Sequence, residues 1–181
     1  MIIWDVREKS SSIVEKLKYQ ITAISFNQSG DQVFIGGIDN TIKVYNLKKK
    51  QIESTLIGHT DTITGLSLSN DGNYLLSNSM DNTIKCWDVR PYVQGSRCIK
   101  QFTGISHNFE KNLLKCCWSA DDSLISAGSA DRYVYIWNFS TMKVERKFGG
   151  HSGTVNETSF NRISNVIASC SSDQTAIIGE Y

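Results

Sequence analysis

Nine-residue segments recur along this chain at a nearly fixed interval: IDNTIKVYN (38–46), MDNTIKCWD (80–88), ADRYVYIWN (130–138) and SDQTAIIGE (172–180). Their aspartates, Asp39, Asp81, Asp131 and Asp173, stand 42, 50 and 42 residues apart, and a fifth copy survives only as its tail, IIWDV, at 2–6. A period of this length means one supersecondary unit used again and again. It constrains the fold more than any single motif, because each unit must bury its apolar face on the next. The histidines keep the same interval: His59, His107 and His151 precede an aspartate by 22, 24 and 22 residues.

Inside each repeat, short β-branched or apolar runs alternate with turn residues, as in ITAISF, NQSGD, QVFIGG, DN and TIKVYNL. Runs of this length, bounded by Asn, Asp, Gly and Ser, predict antiparallel strands. The DN and DR dipeptides predict tight turns, because an Asp or Asn side chain bonds nearby backbone. No segment carries a helical apolar stripe. The chain therefore reads as all-β, with four strands in each period of about 42 residues, which is the period of propeller blades. A single proline leaves no Pro-rich linker, and Lys48, Lys49 and Lys50 read as a solvated turn between two strands.

Charge and cysteine usage narrow the function. Nineteen basic residues stand against 18 acidic ones, a balance that gives no reason to expect nucleic acid or an anionic membrane as the main partner. No apolar run approaches the roughly 20 residues of a membrane span, and MIIWDVREKS is too charged for a secretory signal. Five cysteines without a CxxC pair read as reduced thiols, which points to nucleus or cytoplasm. Nothing in the spacing supports a metal site, and no cofactor is implied.

The GH of Gly58–His59 and Gly150–His151, with the WD of Trp4–Asp5 and Trp87–Asp88, resembles the WD-repeat family. The resemblance implies a β-propeller of four-stranded blades around a central channel, present here incompletely. It divides the chain into the tail of a blade (2–17), full blades at 19–57, 59–104 and 107–149, and a last blade (151–181) without its outer strand. That makes about 17 strands, against about 28 in a seven-bladed ring, so the chain is expected to correspond to the C-terminal half of a longer protein. Residues 11–17 and the open last blade are complementary, and a two-fold homodimer exchanging them is an expectation for the 181-residue chain.

His59, Ser79 and Asp81 are the residue types of a hydrolase triad. The trio recurs, however, as His107, Ser129, Asp131 and as His151, Ser171, Asp173, and a catalytic centre is needed once. No nucleophile elbow accompanies it. The family resemblance implies instead a buried hydrogen-bonded chain in each repeat, closed by Trp87 or Trp137, that ties the outer loop, turn and strand together. Such a network fixes strand register when every member is satisfied, and the chain is not expected to be an enzyme. Repeat 1 keeps only Asp39, with Gly37 and Tyr45 in place of the serine and tryptophan, and repeat 4 has Gly179 in place of the tryptophan. Those two are expected to rely on apolar packing and strand bonds.

Two stretches depart from the repeat: RPYVQGSRC (90–98), expected to hold most of the eight extra residues between Asp81 and Asp131, and HNFEKNLL (107–114). Arg90, Tyr92, Arg97, Asn108, Phe109, Glu110 and Lys111 are the candidates for partner contact, offered as one shared docking rim. The stretches HNFEKNLL and SNSMDNTIKCWDVRP further resemble WD-repeat subunits of spliceosomal small nuclear ribonucleoproteins. That resemblance implies a nuclear scaffold in pre-mRNA splicing, holding other proteins, chiefly the largest core protein of the particle, and touching RNA only indirectly. Other WD-repeat adaptors, such as ubiquitin-ligase substrate receptors or signalling scaffolds, remain the alternative.

Overall fold

The computed structural model describes residues 1–4, 7 and 11–181; Asp5 and Val6, which complete the IIWDV segment and its Trp–Asp pair, lie outside the described residues. The described residues form seventeen strands and no helix. β1 (Ile2–Trp4) pairs antiparallel with β2 (Ser11–Val14). Sheet I comprises β3 (Ile21–Phe26), β4 (Gln32–Gly37), β5 (Thr41–Asn46) and β6 (Gln51–Ile57). Sheet II comprises β7 (Ile63–Leu68), β8 (Tyr74–Ser79), β9 (Thr83–Asp88) and β10 (Cys98–Phe102). Sheet III comprises β11 (Cys116–Trp118), β12 (Leu124–Gly128), β13 (Val134–Asn138) and β14 (Val144–Phe148). Sheet IV holds β15 (Val155–Phe160), β16 (Val166–Ser171) and β17 (Ala176–Glu180). Every sheet is an antiparallel meander in chain order, so the all-β, propeller-type architecture expected from the period is what forms.

The sheets stack face to face through their first strands: β7 lies against β3 and β4, β11 against β7 and β8, and β15 against β11 and β12. A strand sandwiched this way is buried on both faces. This is why QVFIGG and YLLSNS read as continuous runs rather than alternating ones, with Leu75, Leu76, Ser77, Asn78 and Ser79 all fully buried. The last strand of a sheet meets solvent, and VERKF of β14 is charged accordingly. Between sheets I and II the core is built on Phe34, Ile42, Leu75 and Trp87; between II and III on Leu76, Phe102, Trp118 and Trp137; between III and IV on Ile136, Val155 and Ile167.

Stacking this tight needs a gap in the side-chain layer. A Cβ on Gly128 would sit 2.2 Å from the Val155 carbonyl oxygen, and one on Gly36 would sit 2.7 Å from Ile63 Cγ2. Sheet II carries Asn78 at the same position, three residues before its turn aspartate, and the exception has a cause described below.

The turn between the second and third strands is the same in all four repeats. Asn40, Asn82, Arg132 and Gln174, each following an aspartate, take left-handed φ of 62, 63, 74 and 67°. Asn tolerates that region; Arg and Gln are held there at a cost of about 1 kcal/mol by the surrounding bonds.

Candidate functional site

In sheet II the repeated polar residues converge between β8, β9 and the segment leading into β7. His59 Nδ1 lies 2.7 Å from Asp81 Oδ2 and its Nε2 lies 2.7 Å from Ser77 Oγ, which accepts the Trp87 indole N–H at 2.8 Å. The bonds are all satisfied by one proton arrangement: Nδ1–H donates to the carboxylate, the Ser77 hydroxyl donates to Nε2, and the same oxygen accepts from the indole. Asp81 Oδ1 meanwhile accepts the Thr83 amide and hydroxyl. Burial alone would raise the Asp81 carboxyl, but donation from His59, Thr83 and the Thr60 amide outweighs it and holds the group well below the usual carboxylate range.

Asp, His and Ser thus line up as in a hydrolase, yet Ser77 is fully buried and its oxygen is already taken by an indole. No acyl group reaches it, and the line acts as a brace. The serine of the brace is Ser77, not the expected Ser79. Both sit on one face of β8, but Leu75 is the residue paired with Trp87, which sets Ser77 level with the indole, while Ser79 has reached the turn. There Ser79 donates to the Asp61 carbonyl at 2.9 Å and accepts the Asp81 amide.

Sheet IV repeats the brace with one member missing. His151 Nδ1 lies 3.1 Å from Asp173 Oδ2 and its Nε2 lies 2.9 Å from Ser169 Oγ. Ser171, the expected member, again caps the turn by accepting the Asp173 amide. Gly179 pairs with Ile167 in the register where Trp87 pairs with Leu75, so no indole completes the line.

Sheet III departs from the expectation altogether. Ala127 stands where Ser77 and Ser169 stand, four residues before the aspartate. His107 does not meet Asp131: its Nε2 contacts Asn78 Oδ1 of sheet II at 3.3 Å, and burial holds its imidazole below the usual range against the pull of Asp81 and Asp61. Ser129 again caps, accepting the Ser106 amide at 2.9 Å. Asp131 takes the Tyr135 hydroxyl at 2.6 Å and the Lys147 ammonium at 3.2 Å, with Lys147 over both the Tyr133 and Tyr135 rings. Trp137 donates to the Thr103 carbonyl at 3.0 Å. Sequence reasoning missed Tyr135 and Lys147. The available signal was the residue four after the first three aspartates, Lys43, Lys85 and Tyr135, of which Lys43 pairs with Asp39 in sheet I.

The model of the "WD domain, G-beta repeat" matches residues 11–46, 50–88, 96–138 and 142–178. The chain belongs to the WD-repeat family. A U5 small nuclear ribonucleoprotein 40 kDa protein of Mus musculus is 49% identical over 178 residues, covering 98% of this chain and 50% of its own length. The protein of that name from Dictyostelium discoideum is 50% identical over 179 residues, covering 98% and 50%. Pre-mRNA-splicing factor cwf17 of Schizosaccharomyces pombe is 47% identical over 180 residues, covering 99% and 53%. The chain spans about half the length of these curated relatives.

The two stretches that depart from the WD repeat lie at opposite ends of sheet II, so the single shared rim expected of them is not what forms. Residues 89–97 join β9 to β10 at the Tyr74–Asp88 end; residues 107–112 lie at the Ser79–Thr83 end, where the His107 amide donates to Asn82 Oδ1 at 2.6 Å. An odd number of strand crossings separates them. The extra length is also divided differently. Trp87 pairs with Cys98, eleven residues on, where Trp137 pairs with Val144, seven on, so only four additional residues fall in that turn. The other insertion follows a bond that sheets II, III and IV share. The Met80, Ala130 and Ser172 amides donate to the carbonyls of Thr62, Ser106 and Thr154. Ile63 and Val155 follow directly, but six residues, His107 to Asn112, intervene before Leu113. Three residues before the same landmarks stand His59, Thr103 and His151, so Thr103 occupies the histidine position of the third repeat.

Of the candidate contact residues, Arg90 is bound through Nε and Nη2 to Asp88, and Arg97 Nη1 donates to the Asp88 and Arg90 carbonyls at 3.1 Å, so both brace their own turn. Tyr92 is 98% exposed and Phe109 91% exposed. Among the described residues no three His, Cys, Asp or Glu side chains converge as a metal site.

Proposed function

We propose that this chain is part of a non-enzymatic scaffold of the U5 small nuclear ribonucleoprotein, acting in the nucleus in pre-mRNA splicing. The observation that carries this reading is identity near one half, sustained over 98% of the chain, to relatives that bear that name. The partners are other proteins of the particle, foremost its largest core protein. RNA is reached indirectly, because basic and acidic residues are nearly equal in number and the basic ones are not clustered. A buried Ser77 engaged on both sides supports a bracing role for the Asp–His–Ser line.

The test is affinity purification of the tagged full-length protein from nuclear extract. U5 RNA and the particle's core proteins are the expected companions. Ubiquitin-ligase or signalling subunits in their place, without U5 RNA, would overturn the reading. For the 181-residue chain by itself, β17 has no outer neighbour among the described residues, which favours a two-fold pair exchanging the β2 segment. Sedimentation at the monomer mass excludes that pair.

A further inference from the structure

We infer that Phe109 and the loop carrying it form a preorganised docking knob that seats in an apolar pocket of a partner protein with an uncharged, hydrogen-bonding rim. The inference rests on the scaffold reading above and names the contact through which it operates.

Residues 107–112 have no counterpart in the other three sheets, and they displace the start of the next strand. Leu113 is 42% exposed, whereas Ile63 and Val155, which likewise stand 18 residues before their aspartates, are fully buried, and β11 has three residues where β7 and β15 have six. The displacement leaves room for Asn78 where sheets I and III need glycine, and His107 reaches into that room.

The loop is nevertheless fixed. Asn108 opens a turn closed by the Lys111 amide on its carbonyl at 3.2 Å, while its side-chain oxygen accepts the Glu110 amide at 3.1 Å. Glu110 Oε2 takes the Thr154 hydroxyl at 3.1 Å and the Asn112 amide at 2.9 Å. Through Asn82 and Thr154 the loop is tied to sheets II and IV at once. Lys111 is held at φ 52°, a strained backbone that persists because its surroundings over-determine it.

All this order presents one side chain, Phe109, at the outer corner of the turn and 91% exposed, where it adds nothing to its own core. A rigid aromatic loses little conformational entropy on docking, and burying it supplies the apolar area typical of hot spots. The loop's own polar side chains include the amides Asn108 and Asn112, Asn82 anchors it, and Glu110 and Lys111 cancel in charge. Base stacking by RNA would need cations for the flanking phosphates; a protein pocket does not.

The experiment places p-benzoylphenylalanine at 109 in the full-length protein in nuclear extract. A photo-adduct with a protein of the U5 particle is expected, and Phe109→Ala should lower the share of protein in U5 RNA-containing gradient fractions on the order of tenfold. Ile163→Ala, equally exposed at the other end of the sheets, should leave that share unchanged, and neither substitution should alter thermal unfolding. An adduct with RNA, no adduct, or an undiminished share for Phe109→Ala overturns the knob. A protein adduct at 109 found in complexes without U5 RNA, from which the Phe109→Ala variant is lost, would uphold the knob and sink the splicing reading.

Discussion

Removing one oxygen, in Ser77→Ala, should cost more than removing its neighbour two residues along the strand. The Ser77 hydroxyl is fully buried, donates to His59 Nε2 at 2.7 Å and accepts from Trp87 Nε1 at 2.8 Å. Without it an imidazole nitrogen and an indole N–H lose their partner in a layer that water does not enter. Each unsatisfied buried group costs about 1–3 kcal/mol, and partial repacking brings the sum to about 2–4 kcal/mol. For a chain of this size each kcal/mol lowers Tm by about 2–4 °C. Ser79→Ala loses a bond to the Asp61 carbonyl and one from the Asp81 amide, both beside the turn, and should cost about 1 kcal/mol. Urea titration followed by tryptophan fluorescence measures both. A double variant, His59→Leu with Ser77→Ala, should cost less than the sum of its parts, because the two share a bond. A Ser77→Ala variant within about 0.5 kcal/mol of the parent, or a larger loss for Ser79→Ala, would refute the brace as drawn.

Acid should weaken the brace from the carboxylate side. Because the folded Asp81 carboxyl is held below its ordinary value, its contribution is complete above about pH 4 and drains away as the pH falls further. Asp81→Asn should therefore be less stable at pH 7 and show a flatter decline between about pH 4 and 2, read as urea midpoints at each pH; parallel profiles would contradict this. In sheet III, Tyr135→Phe removes a hydroxyl donated to Asp131 at 2.6 Å and should cost about 1.5–3 kcal/mol, the range for bonds to charged groups. If Asp131 relied on His107 instead, this variant would be neutral in the same titration. Burial pushes the Cys86 thiol up to about 12 and Cys117 to about 11, and raises Cys116 as well, whereas Cys170 is exposed. A disulfide reagent at pH 8 should find one fast thiol in the native 181-residue chain and five after denaturation.

What the sequence carried depended on how local the cause was. The turn aspartates were legible because their chemistry lies within a few residues: Asp81 and Asp173 accept from the threonine two positions on. His59 and His151 were legible because the strands between them and their aspartates keep one length. The serine was misplaced by two because Ser79, Ser129 and Ser171 recur in three repeats, while Ser77 and Ser169 face Ala127 in the third. The better-repeated serine does a different repeated job, capping the turn. Only the pairing of Leu75 with Trp87 separates the two, and register across strands is not written in spacing. His107 carried its own warning in an offset of 24 rather than 22 residues.

The division of labour on the aspartate explains why the third repeat could change. One carboxylate oxygen shapes the turn: Asp81 Oδ1 holds Thr83, Asp173 Oδ1 holds Thr175, and Asp131 Oδ1 takes the Tyr133 amide. The other oxygen needs only a donor, supplied by His59 in sheet II, His151 in sheet IV, and Tyr135 with Lys147 in sheet III. In sheets II and IV that donor arrives on the segment linking one sheet to the next, which fixes the segment's length. Sheet III draws its donors from its own strands β13 and β14, so the link from sheet II has no histidine to deliver. The six residues that present Phe109 follow Thr103 and the Ala130–Ser106 bond, in a link whose sheet takes no histidine.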